Sequence, residues 1–267
     1  LIPGRRKGDA SPMAKLIYAA SPRSADMLYA TGFHAPDAFL FLSHRGKKTI
    51  VALHGFLGQG SDWDAVRAAT KSGATWICPD LFAPGADSFA PPKIAGPCWL
   101  VGYSFGARLA LRWMQEDPDR YFGVILLSVN PGNFQNDDQR ASRRKADEAW
   151  AARFRQDAWN DLTNAWNAQE IFDGQASPER SEPDFDRAKL AMALTKFSVA
   201  DQFTDPLRLP SRVTWLAGSR DTRFCALLDD MRNAGFPGPF LRIEDAGHRL
   251  LSDAPEAVAA ALDDLVA

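Results

Sequence analysis

Thr49-Ile-Val-Ala-Leu53 is an unbroken apolar run of strand length, the pattern of a strand buried on both faces. It leads into His54-Gly-Phe-Leu-Gly58, and Ser61-Asp-Trp-Asp64 predicts a capped helix running to about Lys71. Ala74–Cys78 reads as the next strand, and a Pro/Gly/Ala-rich loop covers 82–97. A further apolar run, Cys98–Val101, precedes an amphipathic helical pattern over about 105–116, and Gly123–Val129 is another buried strand. After Asn130-Pro-Gly132 the pattern changes. Residues 133–208 are polar, charged and helical, with Trp150, Trp159 and Trp166 spaced along them, and no buried strand is visible there. Strands resume at Arg212–Gly218 and Phe240–Ile243, separated by a helix from about Cys225 to Asn233 and followed by an amphipathic helix over 254–266. Strands alternating with helices predict a mostly parallel sheet with helices on both faces, here with an inserted helical cap.

The first 48 residues do not continue this pattern. Ala38–Leu42 could supply an early strand, with Arg45-Gly-Lys-Lys48 as the turn after it. Leu1-Ile-Pro-Gly-Arg-Arg-Lys-Gly8 has charges with no apolar stretch behind them, unlike a signal peptide, and Met13 is the expected natural start. The domain reading is therefore an atypical segment 1–48, an α/β core over 49–132 and 209–267, and the cap over 133–208.

Composition adds exclusions. At 267 residues, 46% hydrophobic and 24% charged, the chain has an ordinary globular balance. A net charge of -2 offers no case for nucleic acid or an anionic membrane surface, and no apolar run approaches the roughly 20 residues of a membrane span. Cys78, Cys98 and Cys225 are too few and scattered for a disulfide framework or a zinc site, which favours a reducing, cytoplasmic setting. No metal and no cofactor is expected.

Candidate chemistry centres on Gly102-Tyr-Ser-Phe-Gly106, a G-x-S-x-G turn between a strand and a helix. Such a turn holds the Ser104 hydroxyl above a helix N-terminus, where developing negative charge is favoured. A serine needs a base, and the base an orienting acid. Of four histidines, His34, His44 and His54 precede the turn, and His248 follows the last strand. Asp221, in Gly218-Ser-Arg-Asp221, stands after the preceding strand; Asp245 is the rival acid, without a strand end of its own. Backbone N–H groups of Phe56 and Phe105 are the candidate oxyanion donors.

Taken together, His-Gly-Phe, Gly-Tyr-Ser-Phe-Gly, Gly-Ser-Arg-Asp and Ala-Gly-His resemble the α/β-hydrolase superfamily in order and spacing over about 49–267. Within it the chain resembles the SHCHC synthases (2-succinyl-6-hydroxy-2,4-cyclohexadiene-1-carboxylate synthases) of menaquinone biosynthesis. The carrying segments are Leu53–Gly58, Gly102–Arg108, Asn130–Arg143 and Gly218–Phe224. That resemblance implies a serine and histidine that remove a proton and expel pyruvate, and a pocket that grips carboxylates. Arg108, Arg143 and Trp166 match pocket residues of that family, Arg187 is a candidate third arginine, and Tyr103 is a candidate contact. Arg140 and Arg144 flank Arg143, among Asp137, Asp138, Asp147 and Glu148. Residues 21–33 separately resemble the N-terminal region of aminopeptidase-P-type proteins, without their metal ligands.

Two activities follow as expectations. One is hydrolysis of small carboxylic esters through an acyl-enzyme; the alternative is the SHCHC-synthase-like elimination of pyruvate. A non-catalytic binding protein on the same fold is the reading from another class. The expected partner is a small ester or carboxylate-bearing substrate, with no nucleic acid and no membrane.

Overall fold

In the computed structural model of the chain, the described residues are 14–19, 39–44, 48–86, 89–132, 136–172, 174–209 and 212–266. Two units are present, Leu1–Lys47 and Lys48–Ala267. In the first, β1 (Ala14–Ala19) pairs antiparallel with β2 (Phe39–His44) as a two-stranded sheet. The strand expected over 38–42 is thus displaced by a residue or two and does not join the main sheet. His34 and the turn at Arg45–Lys47 lie outside the described residues.

The second unit holds a six-stranded parallel sheet in the order β4-β3-β5-β6-β7-β8. Its strands are β3 (Thr49–Leu53), β4 (Thr75–Ile77), β5 (Cys98–Tyr103), β6 (Tyr121–Leu127), β7 (Val213–Gly218) and β8 (Phe240–Ile243). Helices α1 (Asp64–Ala69), α2 (Phe105–Glu116), α6 (Thr222–Asn233), α7 (Leu250–Asp253) and α8 (Pro255–Val266) complete the core.

Alternation along β3 shows why its apolar run is continuous. Val51 and Leu53 pack on one face with Phe105, Leu109 and Met114 of α2; Ile50 and Ala52 pack on the other with Val66 of α1 and Val258 and Leu262 of α8. Burial on both faces from Ile50 to Leu53 leaves no position there for a polar residue, and the half-buried Thr49 stands at the strand's start. Strand β3 passes to β4 on one side, and β5 then returns to its other side. The chain reverses there, so the crevice above the C-terminal ends of β3 and β5 is the natural ligand site of such a sheet.

Between β6 and β7 runs a helical insert of α3 (Asp137–Gln156), α4 (Trp159–Asn167) and α5 (Arg187–Lys196). It packs on α2's side of the sheet through Phe154, Leu162, Leu190 and Leu194. Its two ends touch: the Thr204 hydroxyl donates to the Pro131 carbonyl at 2.9 Å, and a Cβ on Gly132 would strike the Gln202 carbonyl. Two local expectations shift. The 61–71 helix starts as a 3-10 turn at Gly60–Trp63 with Gln59 as its N-cap, and the Asp62 carboxylate reaches back to accept the N–H of Gln59 at 3.1 Å. Helix α6 begins at Thr222, three residues early, because Asp221 caps it through Phe224 N–H. No helix among the described residues is long and apolar enough to cross a membrane.

Candidate active site

Strand β5 delivers the chain to Ser104 and α2 carries it away. Ser104 has φ 51° and ψ -108°, a conformation that costs a non-glycine residue energy unless its surroundings impose it. They do so here. Ser104 N–H donates to the Leu127 carbonyl of β6 at 2.8 Å, and its carbonyl accepts from Arg108 N–H at 3.1 Å. A Cβ on Gly102 would lie 2.6 Å from the Ala107 Cα, and one on Gly106 would strike the carbonyls of Leu53 and His54. The elbow closes only with glycine at both places.

Asp221 and His248 reach Ser104 from two loops that are joined to each other. Ser219 N–H donates to the Ile243 carbonyl at 2.8 Å and Arg220 N–H to the Ala246 carbonyl at 2.9 Å. A Cβ on Gly218 would collide with the carbonyls of Ala246 and Gly247. His248 Nδ1 then lies 2.7 Å from Asp221 Oδ2, and Nε2 lies 3.1 Å from Ser104 Oγ. A carboxylate beside Nδ1 makes it the protonated nitrogen, which leaves Nε2 to accept the serine proton. Asp221 and His248 are both buried, whereas Asp245 is exposed on a turn with φ 55°. Asp221 does two jobs, since its Oδ1 accepts the capping hydrogen bond of α6 from Phe224 N–H at 3.1 Å.

Phe105 opens α2, so its N–H has no acceptor within the helix. Phe56 lies in the turn after β3, which a Gly58 N–H to Gly55 carbonyl bond of 3.1 Å closes. Both line one cavity of about 380 Å³ with Ser104 and His248.

His54 shapes that turn and does not face the chemistry. It is fully buried, its Nδ1 bonded to the Gly55 carbonyl at 2.8 Å and its Nε2 accepting Leu81 N–H at 2.9 Å. The acceptance at Nε2 requires the neutral ring, with Nδ1 carrying the proton it donates to Gly55. Burial pushes its pKa below the usual 6.5. The unfolded chain therefore takes up this proton first as pH falls. The stabilisation is complete above about pH 6.5 and is lost below it, at up to about 1.4 kcal/mol per pH unit until the folded ring titrates. Urea unfolding from pH 7 to 5 should show this loss, and His54→Asn, weaker throughout, should flatten the slope. An unchanged slope in the variant would show that His54 carries no linked proton.

The cavity also contains Tyr103, Arg108, Arg143 and Trp166. Arg108 donates to the Phe197 carbonyl at 2.6 Å and lies over the Phe105 ring at 5.1 Å. Burial, then the neighbouring Arg143, pushes its pKa down. Both causes mean that an anion placed between these two cations would be welcome. Arg143 is steered by Asp147, which accepts its Nε–H at 2.9 and 3.0 Å and is itself held by the Ser198 hydroxyl at 2.6 Å. Trp166 packs on Phe56 at 4.5 Å and on Trp150 at 5.0 Å, forming an apolar wall. Burial raises the Tyr103 hydroxyl's pKa, so it stays a neutral donor.

Other expected contacts fall elsewhere. Arg187 does not line the cavity: its guanidinium braces the insert, donating to the carbonyls of Phe154 and Asp157 and to Glu182. A first-turn arginine on α5 reaches its neighbour helix more easily than the sheet edge. Arg140 bonds the Ala200 carbonyl and Arg144 pairs with Asp201, so neither lines the cavity. Conversely, the sequence reading missed Arg180, Arg223 and Arg249, all of which line it. Arg249 could have been found by its place beside His248; Arg180 sits in a loop with no local signal. Among the described residues there is no cluster of metal-ligating side chains.

A family model described as "Alpha/beta hydrolase family" matches residues 50–261. The chain belongs to the alpha/beta hydrolase family. Within it, the chain is 28% identical over 244 residues to a 2-succinyl-6-hydroxy-2,4-cyclohexadiene-1-carboxylate synthase of Escherichia coli O1:K1 / APEC, covering 83% of this chain and 94% of that protein. Among solved alpha/beta hydrolase structures, MenH from S. aureus superposes with a TM-score of 0.70 at 20% identity, over 82% of this chain and 93% of that one. A thermophilic esterase from Thermogutta terrifontis superposes with a TM-score of 0.60 at 17% identity, over 94% and 98%.

Proposed function

We propose that this chain is an SHCHC-synthase-like lyase that eliminates pyruvate from a carboxylate-rich substrate in menaquinone biosynthesis. The observation that carries the reading is that Arg108 and Arg143 share one cavity with Ser104 and His248. The name of the Escherichia coli relative favours the same reaction. Two cations beside the reacting hydroxyl are of little use for a neutral ester. They suit a substrate bearing carboxylates, which arginine binds as a planar fork.

In this mechanism His248 Nε2 takes the Ser104 proton as Ser104 Oγ removes an acidic C–H proton from the substrate. The electron pair forms a new C=C bond and breaks the C–O bond to the enolpyruvyl group. Negative charge developing on the adjacent carbonyl oxygen is met by the N–H groups of Phe56 and Phe105. The imidazolium, held by Asp221, returns a proton and pyruvate leaves. This reaction needs no metal and no cofactor, and its partner is a small carboxylate-bearing molecule.

Ester hydrolysis is the second reading, supported by the same serine, histidine, aspartate and backbone donors, which also suit acyl transfer. Two assays on one preparation separate them: pyruvate release from the SHCHC synthase substrate, and hydrolysis of short p-nitrophenyl esters. Fast pyruvate release with only trace ester turnover is expected; the reverse would make the chain an esterase.

Arg143 supplies a sharper test. Removing it alone would leave Asp147 buried without its cation, so the variant is Arg143→Ala with Asp147→Asn. A charge-assisted hydrogen bond is worth roughly 1.5–3 kcal/mol, so KM for the pyruvate-releasing substrate should rise about ten- to hundred-fold. Turnover of a neutral p-nitrophenyl ester should hardly change. An equal loss on both substrates would remove Arg143 from carboxylate recognition.

A further inference from the structure

The residue after His248 is bound to the insert by its backbone N–H and by both terminal guanidinium nitrogens. Arg249 N–H donates to Gln175 Oε1 at 2.6 Å, its Nη1 to the Ala176 carbonyl at 2.9 Å and its Nη2 to Asn167 Oδ1 at 2.7 Å. The guanidinium lies over the Phe172 ring at 4.3 Å, and that ring packs edge-on against the His248 imidazole at 5.8 Å. Gln175 is fixed in turn, donating to the Ile171 carbonyl at 3.0 Å, and a Cβ on Gly247 would lie 2.7 Å from its Cδ. On the other side, Arg249's carbonyl accepts from Ser252 and Asp253 N–H groups and so starts α7. Arg249 is buried although its side chain ends in a charge, and its Nε has no partner among the described residues. A buried guanidinium is costly unless the geometry around it is well satisfied. Here the two nitrogens at its tip are spent on the insert.

We propose that Arg249 is a positioning residue: it fastens the histidine loop to the Asn167–Ala176 segment of the insert, and the insert thereby sets the distance from His248 Nε2 to Ser104 Oγ. The insert is then part of the reacting apparatus as well as a wall of the cavity. Asp221 fixes the imidazole from the core side through Nδ1; Phe172, held by Arg249, fixes its face from the insert side. A loop held at one end alone can swing, and a shift of one ångström at a reacting pair is enough to slow it by orders of magnitude.

The inference rests on Ser104 and His248 acting as nucleophile and base, but not on which substrate they serve. The test therefore uses a fluorophosphonate, which phosphonylates an activated serine as the P–F bond breaks and fluoride leaves, and needs no carboxylate contact. Arg249→Met keeps the packing over Phe172 and removes the donors. It should label at Ser104 about ten-fold more slowly than wild type, with Arg249→Lys, which restores one donor, in between. Arg187→Met cuts a brace within the insert, away from the cavity, and should label at the wild-type rate even if its melting temperature falls as far. Should Arg249→Met fail to fold, Asn167→Ala removes a single acceptor and should slow labelling several-fold. Wild-type labelling rates in Arg249→Met or Asn167→Ala, with only a lower melting temperature, would overturn the proposal. A wild type that is not labelled at Ser104 would overturn the serine–histidine reading itself, and the proposal with it.

Discussion

Ser104→Ala is expected to lower the rate of pyruvate release by about four orders of magnitude or more. The substitution removes a hydroxyl whose hydrogen bond is the one to His248 Nε2 at 3.1 Å. It takes nothing from the core, so the melting temperature should stay close to that of wild type. Groups that act as one unit do not contribute additively. Adding His248→Ala to Ser104→Ala should therefore cost little more, although His248→Ala alone should cost nearly as much as Ser104→Ala. The measurement is pyruvate formation followed by coupled reduction to lactate, with protein-only blanks. A Ser104→Ala enzyme that kept most of the wild-type rate would remove the serine from the reaction and leave the elbow as a turn.

Asp221→Asn should be the second large loss, roughly ten thousand-fold in rate. The two carboxylate oxygens are committed to different tasks: Oδ2 faces His248 Nδ1 at 2.7 Å, and Oδ1 caps α6. Asparagine keeps an oxygen for the cap, so the helix start survives. Its amide group then faces Nδ1 and favours the imidazole tautomer with the proton on Nε2, which cannot accept from Ser104. Asp221→Ala should be equally inactive and about 1 kcal/mol less stable than Asp221→Asn, because it loses the cap as well. Rate and urea midpoint measured on both variants separate the two tasks. An active Asp221→Asn would mean that Asp221 serves the helix alone.

What could be read from the amino-acid sequence follows the range of the forces involved. The elbow was legible because Gly102 and Gly106 meet constraints set within a few residues and by the neighbouring strand. Asp221 was preferred to Asp245 for a reason of order: it follows a strand end, and strand ends in a parallel sheet open on one edge. The structure places Asp221 at the ring and leaves Asp245 in solvent. Arginines were hard to place. Arg143 and Arg144 are neighbours on one helix, yet one lines the cavity and the other pairs with Asp201. Helical rotation of 100° per residue decides between them, and an irregular insert does not declare its register in advance. Arg187, which the family resemblance offered as a third arginine, turns instead to the carbonyls of Phe154 and Asp157. Arg180 was invisible because its partners, Asp62 and Gln59, lie about 120 residues away in sequence and became neighbours only on folding.

The insert leaves β6 and rejoins β7, two strands paired side by side, and its ends meet through Thr204 and Pro131. Entry and exit therefore sit at one doorway, so the insert can be exchanged as a single cassette without re-threading the sheet. Its removal would not be free of consequence for the core, however, because several of its fastenings are anchored outside it, the Arg108 bond to the Phe197 carbonyl and the Lys189 bonds to the Ala83 and Ala86 carbonyls among them. Arg180 reaches out to Asp62, and Arg249 reaches in to Asn167 and Ala176. A chimaera carrying a foreign insert would have to import matching partners at positions 62 and 249. The insert is modular in its chain path but not in its side chains, and exchanging it calls for paired replacements across that seam.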